Sequence, residues 1–119
     1  MSSKLENQIW TIKQELNQLK DRFLASDKPA DKKDRALFEQ VKEETSPLFT
    51  LIQEWYDEAE QYVKMNPGSK VFPIQLENTK DNFELLVLHS YYIDVPKKRF
   101  MELYNSVHYV LDQLLDNFK

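Results

Sequence analysis

The chain has no cysteine, so neither a disulfide framework nor a thiolate metal site is available to it. It holds one glycine and five prolines in 119 residues, too few turn formers for an all-β protein of this size. A phosphate-cradling glycine loop is excluded for the same reason. No apolar run approaches the roughly 20 residues needed to cross a bilayer, and Leu85 to Leu88 is the longest candidate. The opening MSSKLENQIWTIKQEL places charges and amides where a signal peptide needs an unbroken apolar stretch. The expected location is therefore the cytoplasm. What the chain does hold is 41% apolar residues, 13% aromatics and a net charge of −4, from 16 basic and 20 acidic groups. That is enough apolar material for one domain over residues 1–119 with a real core. The charge balance suits solubility and disfavours nucleic acid as the main partner.

Apolar periodicity predicts four helices. Leu5, Ile9, Ile12, Leu16, Leu19 and Phe23 alternate spacings of four and three, which on a helix from about Ser3 to Ala25 makes one narrow seam. A charged connection, SDKPADKKDR, follows, with Asp31 as the expected cap of the next helix. The second row is Leu37, Val41, Leu48, Leu51, Ile52, Trp55, Ala59 and Tyr62, flanked by Phe38, Phe49, Tyr56 and Val63. Pro47 interrupts it, yet the row keeps its phase across the proline. The reading preferred is one long helix kinked near Pro47 and ending around Met65; the alternative is a break at Ser46-Pro47 with Ser46 capping a new helix. NPGSKVFP is a loop. Helix three runs from about Pro73 to Tyr92 with Leu76, Phe83, Leu86, Val87 and Tyr91 on its main face. Helix four starts near Asp94 to Pro96, where Asp94 as a capping acid and an early proline suit a helix start, and carries Phe100, Leu103, Val107, Val110, Leu111, Leu114 and Phe118. Four such helices with short connections predict an all-α fold, an antiparallel up-and-down four-helix bundle.

The segment from Asn78 to Leu115 resembles the YppE-like family of small uncharacterised proteins from Gram-positive bacteria. The resemblance is carried by Asn78-Thr79, Glu84-Leu85, Tyr91-Tyr92, Lys98-Arg99-Phe100 and Ser106-Val107. It implies the same up-and-down bundle, and it implies no activity and no catalytic residues.

No residue set forms a catalytic or metal signature. A di-iron bundle needs a glutamate three residues before a histidine on two helices, whereas Glu84 precedes His89 by five and Glu102 precedes His108 by six. His108 and Asp112 can meet at a spacing of four, but two ligands fall short of a zinc site. His89 and Ser90 are neighbours whose side chains diverge by about 100° on a helix, and Ser90 suits close packing. The expectation is a protein that is not an enzyme and takes no cofactor.

Two surfaces remain. Leu85, Leu88 and Tyr92 lie opposite the main face of helix three, and Trp10 lies nearly opposite the seam of helix one. If uncovered, they form a candidate surface for another protein or for self-association. The competing expectation is that helix two, its kink or the NPGSKVFP loop covers them. The other surface is basic. Lys20 to Glu39 and Asp94 to Arg99 together carry +3, leaving −7 elsewhere. Lys97, Lys98 and Arg99 stand in the first turn of helix four, where the dipole disfavours cations, and they are a candidate anion surface. Against that, Asp27, Asp31, Asp34 and Asp94 are expected to neutralise them as solvated pairs. Function is thus expected to be a non-enzymatic protein-interaction or adaptor role, with anionic-ligand or nucleic-acid binding at the basic end as the alternative.

Overall fold

Ser3 starts the first helix by accepting a hydrogen bond from the Glu6 amide at 3.0 Å, which satisfies one of the donors a helix start leaves free. The computed structural model describes residues 3–26 and 28–119, which hold helices α1 (Lys4–Leu24), α2 (Arg35–Met65), α3 (Pro73–Tyr92) and α4 (Lys97–Asp116). A single 3-10 turn, Pro67–Ser69, interrupts the loop between α2 and α3. The first and third helices therefore lie where their apolar spacing predicts.

Two expected caps are corrected. Asp34, not Asp31, caps α2, its carboxylate accepting the Leu37 amide at 3.1 Å. Asp31 is three residues too early and instead accepts the Lys33 amide at 2.8 Å, closing a turn. Asp94 does not cap α4 either. Pro96 occupies that position without a side-chain acceptor, while Asp94 is drawn away to His89 and Lys32.

α2 continues through Pro47 as one 31-residue helix, so the break at Ser46-Pro47 does not occur. Its apolar row explains why. Val41 and Thr45 before the proline, and Ile52, Trp55 and Ala59 after it, are all buried on one side. One missing amide does not outweigh that burial. At about 1.5 Å per residue, the helix matches the molecule's 46 Å long axis.

Side-chain pairs give the directions. Lys4 reaches Glu58 at 3.9 Å, which runs α1 against α2. Asn17 accepts from the Tyr104 hydroxyl at 2.9 Å and Phe23 stacks on Phe100 at 4.1 Å, which runs α1 against α4. Gln75 and Gln113 pair at 3.2 Å, setting α3 against α4. Arg22 and Ser90 meet at 3.3 Å, which makes α1 and α3 parallel. The bundle is thus up-and-down, with α1 and α3 packed across its centre. Leu16, Trp55, Phe83 and Leu111 are fully buried in the shared core.

Ile93 ends α3 in the left-handed region, at φ 50°. A β-branched residue there costs about 1–2 kcal/mol. Three restraints hold it: its side chain packs on the core, its amide bonds the His89 carbonyl at 2.8 Å, and the preceding Tyr92 carbonyl accepts the Ala30 amide at 2.8 Å.

Candidate interaction surface

The second half of α3 is apolar on almost every side, and only part of that surface reaches the shared core. Leu88 and Tyr92, outside that core, meet the first half of α2. Val41 is buried, yet it lies outside the main core cluster. There Phe38, Val41, Thr45 and Phe49 of α2 face Leu88 and Tyr92 of α3 around an open groove of about 830 Å³. The groove exists because Thr45, Ser46 and Thr50 are short where leucines would fill the space. Exposure is 52% at Phe38 and 37% at Leu88, so α2 covers this side of α3 only partly; Leu85, 40% exposed, lies outside the groove lining. Lys42 and Glu54 supply charges of both signs along the lining.

Trp10 does not join this surface. It is 53% exposed and sits beside Asp112, Leu115 and Phe118 between α1 and α4. The other three residues project from α3, with Leu88 and Tyr92 turned to the α2 side, so one continuous patch with Trp10 is not formed. Phe38 and Thr45 are the groove residues that sequence reasoning undervalued. Their signal was a row at 38, 41, 45 and 49, at helical spacing, with one short polar residue inside it.

At one end of the bundle the first and third connections meet. Lys32 binds Asp94 at 2.6 Å, and His89 Nδ1 lies 2.7 Å from the other carboxylate oxygen. Burial pushes the Asp94 carboxyl up, but the bonds from Lys32 and His89 and the charge beside it hold it below its ordinary value. Lys97, Lys98 and Arg99 are exposed close by. Arg99 has only a loose contact with Glu102 at 3.9 Å, and Lys97 and Lys98 form no ion pair among the described residues. Of the acids expected to neutralise this end, Asp94 pairs with Lys32, while Asp31 and Asp34 accept backbone amides; Asp27 lies outside the described residues.

The histidines and Ser90 are engaged separately. The Ser90 hydroxyl donates to the Val87 carbonyl at 2.7 Å and accepts from Arg22, whose guanidinium lies 4.1 Å from the Tyr91 ring centre. His89 turns to Asp94 instead. Lys13 stands between His108 and Asp112, at 2.9 Å from Nδ1 and 2.6 Å from the carboxylate. An ammonium only donates, so Nδ1 accepts and the ring proton sits on Nε2. No group of three or more potential metal-ligating side chains occurs among the described residues.

Burial lowers the His108 pKa; Lys13 lowers it further, Asp112 opposes this, and Lys20 adds to the lowering. Above about pH 6.5 the ring is neutral folded or unfolded. As pH falls through that value, the unfolded chain takes up a proton that the folded one resists, so stability declines. Urea unfolding between pH 5 and 8 is expected to show this decline, and His108→Gln is expected to flatten it. An unchanged slope in the variant would assign the effect to other groups.

The fold and its surfaces define an up-and-down helical bundle with an open apolar groove between α2 and α3. No helix among them is long and apolar enough to cross a membrane. The chain belongs to the family of the bacterial domain of unknown function DUF1798, whose model matches residues 9–118. It is similar to the uncharacterized protein YppE of Bacillus subtilis strain 168, at 35% identity over 79 residues, covering 66% of this chain and 64% of that protein's length. The crystal structure of YppE from Bacillus subtilis superimposes with a TM-score of 0.77 at 28% identity, covering 98% of this chain and 93% of that one. Its solution NMR structure gives a TM-score of 0.74 at the same identity and coverage.

Proposed function

We propose that the protein is a non-enzymatic interaction bundle of the cytoplasm that seats an apolar helix of a partner protein between α2 and α3. The observation that carries this reading is the groove itself. Phe38 and Leu88 stay half-exposed on either side of a floor of short side chains. A partner helix laid there would bury that surface through residues at positions i, i+3, i+4 and i+7. Burying a charge in an apolar contact is costly, so Leu88→Asp is expected to weaken association more than tenfold, about 1.4 kcal/mol or more. Thr45→Leu fills the floor without adding charge and is expected to act in the same direction. The measurement is photo-crosslinking from position 38 in cells, with helix content followed by circular dichroism. A discrete protein adduct lost in both variants, with helicity intact, supports the reading. Absence of any adduct, or one indifferent to both changes, removes it.

A second reading is anionic-ligand binding at the basic end. It is supported by the convergence of both connections beside Lys97 and Lys98. Such binding should weaken steeply with salt.

A further inference from the structure

We infer that the cleft at the basic end of the bundle binds a single-chain amphiphile with an anionic head, a long-chain carboxylate taken from solution. This rests on the anion-binding reading of that end and narrows it to one ligand class. The cleft opens between the first and third connections, and its volume of about 760 Å³ falls within the range of small-molecule sites. Phe23, Leu24, Pro29, Ile93 and Val95 make most of its lining apolar, and Lys97 lines it as well.

Charge selects the head group. Residues 27–34 and 94–99 contain six basic and four acidic side chains, a balance of +2, against −6 for the rest of the chain. Asp94, the acid in the lining, is already bound by Lys32 and His89. The carboxylate of a ligand would therefore meet Lys97 in the lining, with the adjoining Lys98 adding positive charge beside it; neither forms an ion pair among the described residues. The tail would lie along Leu24, Ile93 and Val95. A small inorganic anion would leave that lining unused, and a neutral chain would leave the cations unused. Both halves of the site are matched only by an amphiphile.

The test is titration of the isotope-labelled full chain, followed by backbone amide shifts. The probes are laurate below its micelle concentration, dodecyltrimethylammonium with the same tail and opposite head, inorganic phosphate, and vesicles of anionic phospholipid. Laurate is expected to shift Leu24, Ile93 and Lys97 saturably, whereas dodecyltrimethylammonium should bind at least about tenfold more weakly. Joint Lys97→Gln and Lys98→Gln substitution should weaken laurate about five- to tenfold. Leu24→Glu, at a half-exposed position, should abolish binding, and Leu88→Asp should leave it unchanged. Equal binding of both detergents, or shifts centred on the α2–α3 groove, would overturn the proposal. Binding of phosphate or vesicles without laurate overturns it while leaving the anion reading in place; binding of no anionic probe removes both.

Discussion

Trp55→Ala is expected to lower the unfolding free energy by about 3–5 kcal/mol. The side chain is fully buried in the shared core, in one cluster with leucines of α1, α3 and α4 and isoleucines of α1. Truncation removes the apolar area of a large ring and leaves a cavity that four packed helices can only partly close. Against a typical total of about 5–15 kcal/mol, such a loss brings the fold close to its limit. Trp55→Phe provides the informative contrast. The indole nitrogen has no hydrogen-bond partner among the described residues, so its contribution is packing alone. Phenylalanine keeps much of the ring and deletes an unpaired donor, and its cost should stay below about 2 kcal/mol. Urea unfolding of both variants decides the matter. Equal losses would mean that the indole nitrogen is bonded after all.

Pro47→Ala is expected to stabilise the protein. The residue sits inside a continuous helix and is exposed, so replacing it loses no core packing. Proline deprives the Glu43 carbonyl of its amide partner and is about 3 kcal/mol less favourable than alanine within a helix. It also stiffens the unfolded chain, which offsets about 0.4–1 kcal/mol. A net gain of about 1–2 kcal/mol remains after allowance for partial relief already present, or about 3–8 °C in melting temperature for a domain of this size. A melting temperature that does not rise would show that the helix has already absorbed the proline at no cost. The same variant bears on function. Pro47 stands next to Thr45 and Ser46 on the groove wall, so altering the course of α2 there changes the fit of anything seated against α3. Higher stability with weaker partner binding is the expected pair of outcomes.

The helices were legible because their apolar spacing is a local property of the chain. Leu5 to Phe23 can bury together only if the segment is helical, whatever it packs against. The long α2 was legible too, since its apolar row keeps phase through Pro47. Caps were less so: Asp31 and Asp34 both suit a helix start, and the choice depends on where the chain leaves Lys32 to reach Asp94. Lys13 gave no sign of its role, because its bonds to His108 and Asp112 cross 95 and 99 positions of sequence.

By itself, the order of residues determined four amphipathic segments, their seams, and the surplus of apolar side chains on α3, since each follows from repeats of three and four. Only the tertiary structure decided what that surplus became. Leu88 and Tyr92 share a groove with Phe38 and Thr45, while Trp10 stands apart on the α1–α4 side, because a helix has two flanks and its own sequence does not say which neighbour lies on each. The meeting of Lys32 with Asp94, and of Ala30 with Tyr92, was decided in the same way: two connections become one surface when the helices between them run in opposite directions.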